Sequence, residues 1–263
     1  MAKLNGPFDF EGKIGGISAF KMKGVKKTII RQPGGPSREA IKTLPSCELV
    51  RRNNYEFGGR STAGKYVRRS FQPLMPVSDF NPAPSICSLM HKIQALDTVS
   101  EYGQRSVLIS KALYLLEGFN LNQRNPFDAV VRHAPGAVID RQGLTASVQF
   151  PEMVPGLNFF PPGPHSYFRI AAVLGMVPDL FFKREAYAPE GEFSFHPQKV
   201  VSEWQIVKMG SAPLQLDLEL SVVPAFDSYS LLLSVGIEMG VAADAGSIQS
   251  IKHTGCGKIL LAA

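Results

Sequence analysis

Two glycine–lysine segments of the chain come nearest, in residue type, to a phosphate-binding loop. Gly59 and Gly64 enclose four residues and Lys65 follows directly, which is the spacing of that loop. The next residue is Tyr66, however, where the loop needs the Ser or Thr hydroxyl that holds magnesium. Lys258 also follows a glycine, but it lacks the glycine required upstream. The sequence therefore predicts no nucleotide site and no cofactor.

The histidine, cysteine and serine residues do not have the spacing of catalytic or metal sites. The chain contains no H-E-x-x-H pair, no C-x-x-C pair and no G-x-S-x-G elbow. We therefore predict no catalytic residue, no metal site and no enzymatic activity. A catalytic triad assembled in space leaves no mark in the sequence, so an enzymatic or carbohydrate-binding β domain stays an alternative. The scattered residues are His91, His133, His165, His196, His253, Cys47, Cys87 and Cys256.

The charge of the chain is unevenly distributed. Residues 1–72 carry 15 Lys and Arg against 5 Asp and Glu, whereas the remainder carries 13 against 17. A basic segment attracts nucleic acid, but it also attracts the acidic surface of a neighbouring copy. Basic and aromatic residues interleave on one predicted helix, as in surfaces that stack on nucleic-acid bases. These candidate polyanion-binding residues are Arg51, Arg52, Tyr55, Lys65, Tyr66, Arg68 and Arg69.

Residues 1–35 read as a basic, glycine-rich arm. Short β-compatible stretches between residues 8 and 31 are separated by glycines, which predicts a small meander or an extended arm. Strands this short bury too little apolar surface to order themselves, so we expect a neighbouring subunit to complete their contacts. The candidate subunit-contact residues are four apolar anchors, Phe8, Phe10, Ile14 and Ile17, and four lysines, Lys21, Lys23, Lys26 and Lys27.

Residues 36–119 are predicted to be helical. Ser46 is placed to cap a helix over residues 47–71, and Gly58 and Gly59 predict either a break within it or a very close contact with another helix. A second helix is predicted from Pro84, and residues 107–116 favour helix over strand. The residues expected to pack are Leu49, Asn53, Phe57, Gly64, Val67 and Phe71 on the first helix, and Ile86, Leu89, Met90, Ile93 and Leu96 on the second.

Residues 120–263 have the texture of a β domain, with short apolar runs between Pro and Gly clusters. In residues 214–220 every second residue is leucine, which predicts a half-buried strand with Leu214, Leu216, Leu218 and Leu220 facing the core. The chain is therefore predicted to be α+β and mainly β. We expect an antiparallel β-sandwich or barrel after a glycine-rich arm and two or three helices. The expected strands are residues 146–150, 167–174, 180–183, 192–196, 200–207, 214–222, 230–239 and 258–261.

Composition and hydropathy exclude several classes of protein. With 263 residues, 44% of them hydrophobic and 19% charged, the chain is too apolar for wholesale disorder. No stretch reaches the roughly 18 apolar residues of a membrane span, and residues 1–20 lack the apolar core of a signal peptide. We expect no membrane association, and a location in the cytoplasm or in a particle assembled there.

Several segments resemble an uncharacterised bacterial protein family. The resemblance covers most of the chain and implies a shared architecture of basic glycine-rich arm, helix and β domain. It carries over no catalytic residue. The matching segments are residues 12–21, Arg31, residues 34–35, 51–58 and 63–65, and Arg69, with residues 167–170 and 236–238 of the β region.

These observations rank three classes of function. The first is a non-enzymatic, self-assembling structural subunit of a phage-like particle or filament, a homo-oligomer that uses its N-terminal arm for inter-subunit contacts. The alternative is a nucleic-acid-binding protein that uses the basic N-terminal third. The second alternative is a carbohydrate-binding or enzymatic β-sandwich, for which an acidic or aromatic groove is the discriminating feature. No small-molecule substrate is identified.

Overall fold

The computed structural model describes the backbone of residues 2–3 and the whole of residues 10–32, 34–243 and 246–263. The chain divides into two compact units, an N-terminal unit, Met1–Arg51, and a C-terminal unit, Arg52–Ala263. The fold is mixed α+β with several antiparallel sheets, and the described residues form no closed barrel. The three-part division at residues 35 and 119 stays a prediction.

The N-terminal unit contains a small antiparallel sheet, which agrees with the predicted meander. Its strands are β1 (Ala2–Lys3), β2 (Gly12–Ile14), β3 (Ile17–Phe20) and β4 (Ile29–Arg31), in the order β1-β4-β3-β2. A short helix, α1 (Arg38–Thr43), follows the sheet.

Ser37, and not Ser46, is the serine that caps a helix in the N-terminal unit. The Ser37 hydroxyl accepts a hydrogen bond from the Ala40 N–H at 3.1 Å, at the start of α1. Ser46 lies within the 3-10 turn Pro45–Cys47, so its predicted capping role is wrong.

The long helix α2 (Glu48–Ser70) confirms the predicted helix, but only the second half of the predicted packing side is buried. Val67 and Phe71 are fully buried, and Gly64 lies against Ile86 of the next helix. Leu49 and Phe57 are 63% and 61% exposed, and Asn53 is exposed as well, so their predicted burial is wrong. The reason is that the neighbouring helix and the central sheet cover the C-terminal half of α2.

The helix runs without a break through Gly58 and Gly59. A Cβ atom added to Gly59 would lie 2.7 Å from Cδ1 of the Tyr187 ring, whereas one added to Gly58 would meet nothing within 4 Å. The close contact predicted for this pair is therefore present at Gly59, but its partner is an aromatic ring and not another helix.

The described residues of the C-terminal unit form two further α-helices and ten strands, besides short 3-10 turns. The helices are α3 (Ala83–Gln94) and α4 (Phe127–Val130). The strands are β5 (Gly136–Asp140), β6 (Thr145–Phe150), β7 (Tyr167–Pro178), β8 (Phe181–Lys183), β9 (Ala186–Ala188), β10 (Gln198–Val201), β11 (Gln205–Ile206), β12 (Leu214–Glu219), β13 (Tyr229–Ala242) and β14 (Ile248–Ala262).

A central antiparallel sheet organises this unit. Its order is β10-β7-β13-β14, and β11 also pairs with β7. Strands β7 and β13 are buried on both faces, which is why their sequences are continuously apolar and do not alternate. A Cβ atom on Gly175 of β7 would lie 2.3 Å from the Ser70 carbonyl oxygen, so the end of α2 packs directly on the sheet.

A second sheet, in the order β12-β6-β5, covers one face of the central sheet. Leu216 pairs with Val148 and Leu218 with Ala146, and all four side chains are buried against the central strands. Leu220 is buried and Leu214 half-buried, which confirms the predicted core face of this strand. Helices α2 and α3 cover the opposite face of the central sheet. The predicted β-sandwich is therefore not confirmed, because helices form one of the three layers.

Four local predictions differ from the structure. Residues 192–196 form an irregular segment, in which Phe195 is buried and Phe193 packs against the Tyr66 ring without strand pairing. Residues 200–207 are divided between β10 and β11, because the Ser202 hydroxyl takes the place of a strand partner for the Ile170 N–H. Residues 107–116 form two 3-10 turns and not an α-helix, and Leu96 is 53% exposed beyond the end of α3.

Candidate assembly surface

The tip of the hairpin β2–β3 presents two exposed isoleucines. Ile14 and Ile17 are paired across the two-residue turn Gly15-Gly16, and Gly15 has a φ of +56°, a conformation that glycine adopts without steric cost. The Ile14 and Ile17 side chains are 64% and 47% exposed. The sequence thus forms a tight turn that holds two apolar side chains in solvent.

The rest of the N-terminal unit has a small core and a basic surface. Ala19, Ile29 and Cys47 are its buried apolar residues among those described. Residues 1–51 carry 10 Lys and Arg against 4 Asp and Glu. Lys21 forms an exposed ion pair with Glu11 at 3.4 Å, which has little effect on stability in water. The unit is therefore basic and buries few of its own side chains.

The predicted subunit-contact residues are in this unit, and most of them are on its surface. Phe10 is half-buried and Phe8 lies outside the described residues. The four lysines are exposed, although Lys21 and Lys27 take part in interactions within the chain. The exposed members, besides Ile14 and Ile17, are Lys21, Lys23, Lys26 and Lys27.

The predicted polyanion-binding residues do not form a free aromatic and basic face. The Arg51 guanidinium donates to the carbonyl oxygens of Ile41 and Leu44, both at 2.8 Å. The Tyr55 and Tyr66 rings pack edge-on against Phe182 and Phe193.

The remaining members of the set are basic. Lys65 is exposed, Arg52 and Arg68 are half-buried, and Arg69 is exposed with its guanidinium 5.4 Å from the centre of the Phe195 ring. The two tyrosines of the set are therefore half-buried, and each ring is in contact with a phenylalanine.

The solvent face of the sheet β12-β6-β5 is polar and acidic. The side chains that alternate with its core residues point away from the central sheet, and Val138 is the apolar exception, 68% exposed. Gln149 donates to Gln215 at 3.2 Å, and Gln215 donates to Asp217 at 2.9 Å. The members of this polar face are Gly136, Val138, Asp140, Thr145, Ser147, Gln149, Gln215, Asp217 and Glu219.

The polar face carries three carboxylates and no cation. The hydrogen bond from Gln215 lowers the pKa of Asp217, so this carboxylate stays ionised at neutral pH. The face is also indented: a depression of about 450 Å³ lies beside His133, Pro151 and Pro213, and one of about 300 Å³ lies between Val138 and Glu219.

Two of the buried carboxylates, Glu56 and Glu238, join separate elements of the C-terminal unit, and sequence reasoning missed both. Glu56 of α2 is fully buried and accepts two hydrogen bonds of 2.6 Å from Arg105, one of 2.8 Å from Arg60 and one of 3.0 Å from the Gly103 N–H. Burial opposes its ionisation, but the hydrogen bonds outweigh burial and lower the pKa of Glu56. Because its bonding capacity is filled, Glu56 is a structural residue.

Glu238 of β13 is the second buried carboxylate. Its carboxylate accepts hydrogen bonds from Arg169 on β7, at 2.8 and 2.6 Å, and forms an ion pair with Lys199 on β10. Glu238 therefore links three strands. The Trp204 ring covers the Arg169 guanidinium at 4.6 Å. A single charged residue in each of two otherwise apolar predicted strands, residues 167–174 and 230–239, was the available signal, but one sequence does not show that the two strands pair.

The phosphate-loop-like segment has helical geometry. Gly59, Gly64 and Lys65 all lie inside α2, where the backbone N–H groups donate hydrogen bonds within the helix and do not form a cradle for phosphate.

Within residues 10–32, 34–243 and 246–263, no group of three His, Cys, Asp or Glu side chains is arranged to hold a metal ion. The described helices are all too short or too polar to cross a bilayer.

Comparison with known proteins returned no matching family model, no matching curated protein and no matching solved structure.

Proposed function

We propose that this protein is a non-enzymatic structural subunit that assembles with copies of itself through its N-terminal unit, in a phage-like particle or filament. The observation that carries the proposal is the exposed Ile14–Ile17 pair at the tip of a basic hairpin. Isolated exposed apolar residues are common, but a pair held side by side at a tight turn is suited to insertion into another surface. We propose a location in the cytoplasm or in a particle assembled there.

The energetics are consistent with this role. Burying an isoleucine side chain contributes about 1.5–3 kcal/mol, so the two residues of the hairpin tip supply a useful apolar centre for a contact. The lysines around them steer the hairpin towards acidic surface and make the contact sensitive to salt. The outer strands of the N-terminal sheet, β1 and β2, have no further strand beside them among the described residues, and strand addition between subunits uses the backbone donors and acceptors of such edges.

Electron microscopy of the purified full-length protein in negative stain tests the proposal. We expect rings, particles or filaments at 50 mM salt, and fewer or shorter assemblies at 500 mM. Monodisperse single particles at every protein concentration, in both salts, would contradict the proposal.

Nucleic-acid binding by the basic third is the alternative, and a gel-shift titration with single- and double-stranded DNA and RNA distinguishes it from self-assembly. The packing of Tyr55 and Tyr66 against Phe182 and Phe193 weakens this alternative, because both rings are half-buried and already in contact with another aromatic ring. Salt-sensitive binding of nucleic acid by a protein that stays monomeric would favour it over our proposal.

One observation favours a second candidate, the binding of a saccharide by the β domain. The two depressions on the polar face have carboxylate and amide side chains that suit hydroxyl groups. Ligand pockets are usually concave and rich in apolar and aromatic side chains, however, and the lining of this face is mainly polar. A screen on immobilised oligosaccharides tests this candidate independently of assembly.

A further inference from the structure

A groove between helices α2 and α3 has the size of a small-molecule site. Its volume is about 530 Å³, within the range of about 300–1,000 Å³ that ligand pockets occupy. The two helices are closest near Gly64, where an added Cβ atom would lie 3.4 Å from the Ile86 side chain and 4.0 Å from the Cys87 nitrogen. Cys87 also lines the groove, so the groove begins where the two helices meet.

We propose that this groove binds a small organic anion in which a planar, apolar ring carries a carboxylate. The inference goes beyond the proposed function and does not depend on it, because the residues that line the groove all belong to the C-terminal unit. The charge of the groove selects the carboxylate, and its apolar wall selects the ring.

The charge of the groove comes from Arg60. Arg60 and Arg105 both donate to the single carboxylate of Glu56, at 2.8 and 2.6 Å, so two positive charges meet one negative charge in this cluster. Among the described residues that line the groove, none is Asp or Glu. An anion in the groove is therefore attracted by an incompletely balanced cation and meets no carboxylate of the lining.

Arg60 also has the donors that a carboxylate requires. Its Nε donates to Gln94 at 2.6 Å and its Nη2 to Glu56 at 2.8 Å, whereas Nη1 has no hydrogen-bond partner among the described residues. The side chain is 18% exposed, so these bonds fix the guanidinium while part of it stays accessible. A planar carboxylate accepts two parallel hydrogen bonds from a guanidinium. The exposed hydroxyls of Ser61 and Ser88 line the same groove and supply further donors.

The wall of the groove is apolar and favours a ring. Phe57 is 61% exposed at this wall, and Ala83 and Pro84 contribute further apolar surface from α3. A ring that covers Phe57 removes apolar surface of both partners from water, and aromatic pairs gain further from offset or edge-on contact. A simple inorganic anion would leave this wall exposed, so the ring is part of the expected ligand.

Calorimetric titration of the full-length protein with three probes tests the charge and the ring separately. The probes are 2-naphthoate, its neutral analogue 2-naphthamide, and acetate, which has the carboxylate without the ring. We expect 2-naphthoate to bind at least about tenfold more tightly than either analogue. An affinity for 2-naphthoate no higher than that for either analogue, or no binding at about 1 mM, would overturn the proposal.

Cys87 reports where the probe binds. Cys87 lines the groove and is half-buried, whereas Cys47 and Cys256 are buried, so iodoacetamide should alkylate Cys87 first. We expect 2-naphthoate to slow this alkylation, measured by mass spectrometry, at the concentrations at which it binds. The same concentrations of 2-naphthamide should not slow it. Binding of 2-naphthoate without protection of Cys87 would mean that the probe binds elsewhere, and the proposed site would be wrong.

A charge substitution with a matched control tests the anion. Ser88→Asp places a carboxylate in the groove and should raise the Kd of 2-naphthoate at least about tenfold. Gln215→Asp adds the same charge on the other side of the central sheet and should leave the Kd unchanged. Both side chains are exposed, so both variants should keep the melting temperature of the parent. Equal Kd values for the two variants would contradict the site.

A second pair of variants tests the ring. Phe57→Ala removes the aromatic wall and should weaken binding of 2-naphthoate, whereas Tyr114→Ala removes a similarly exposed ring outside the groove and should not. Equal binding by the two variants would show that the wall is not a contact. The proposed function is tested by assembly of the protein without any probe, so failure of these binding tests leaves it standing.

Discussion

Ile14 and Ile17 are opposite each other across the Gly15-Gly16 turn, and about half or more of each side chain is exposed to solvent. Their exposure predicts that Ile14→Thr with Ile17→Thr weakens assembly but not folding. Threonine keeps the β-branched shape that strands favour and removes most of the apolar surface. We expect the protein concentration required for half-assembly to rise at least about tenfold, measured by sedimentation.

A matched control for this pair is Val99→Thr, because Val99 is 94% exposed and lies outside the N-terminal unit. It should leave both assembly and the melting temperature unchanged. A double variant that assembles as readily as the Val99→Thr control would show that the hairpin tip is not a contact.

The adjacent glycines Gly58 and Gly59 predict opposite effects of the same substitution. Gly58→Ala should raise the free energy of unfolding by about 0.5–1 kcal/mol, because alanine is the better helix former and its Cβ meets nothing within 4 Å. Gly59→Ala should lower it by about 1–3 kcal/mol, because its Cβ would overlap the Tyr187 ring.

The Tyr187 ring is unable to move away easily, since its hydroxyl donates to the Arg105 carbonyl at 2.9 Å and accepts from Gln94 at 3.2 Å. Urea unfolding of the two alanine variants measures the difference. Equal stabilisation by both would mean that the contact between α2 and Tyr187 is looser than described.

The buried face of β12 predicts that Leu218→Asp is severely destabilising. Leu218 is 3% exposed and lies opposite Ala146 in the core, and an unpaired carboxylate there costs several kcal/mol. The matched control is Gln215→Asp, which places the same side chain on the exposed face of the same strand. Thermal melts should show a large loss for the first and a small change for the second. A Leu218→Asp variant that melts within a couple of degrees of the parent would contradict the register of this strand.

Asp97 predicts a loss of stability in acid. Burial opposes its ionisation, but N–H groups of Ser100, Ser106 and Val99 outweigh burial and lower its pKa from 3.8 to about 2. Because the folded-state pKa lies below the unfolded one, the stabilisation is complete above about pH 4 and is lost as the pH falls towards about 2.

Melting temperatures between pH 6 and pH 2.5 measure this dependence. Asp97→Asn should be less stable at neutral pH, and its melting temperature should fall less steeply in acid than that of the parent. Asp179 provides the contrast. Burial raises the pKa of its carboxyl group, so its contribution to the free energy of unfolding increases as the pH falls, whereas that of Asp97 decreases. Parallel curves for the parent and Asp97→Asn would exclude the assigned role.

Periodicity predicted the regular elements well. The leucines of β12 alternate and the apolar residues around Met90 follow helical spacing. Both patterns arise because one face of the element is buried, and the period of the pattern is visible in the sequence. The glycines at positions 12, 15, 16 and 24 predicted a small meander or an extended arm, and the N-terminal unit contains a small antiparallel sheet. These features are local, so one sequence contains the information that determines them.

Features that depend on distant partners were not predictable from one sequence. Strand β5 was missed because its apolar residues do not alternate and its partner β6 defines it. Residues 192–196 alternate as a strand does, yet Phe193 and Phe195 are held by aromatic neighbours and not by a ladder. The polar face arises only when β5, β6 and β12 come together, and the ties from Glu56 to Arg105 and from Glu238 to Arg169 join residues far apart in the chain.

The most direct test of the central claim is sedimentation velocity of the full-length chain beside a chain that lacks residues 1–35. We predict that the full-length protein sediments as an assembly that dissociates as salt is raised, and that the shortened chain is folded but monomeric. The account would be contradicted by a full-length protein that stays monomeric at every concentration and whose first 35 residues resist protease, because the N-terminal segment would then be ordered within its own chain.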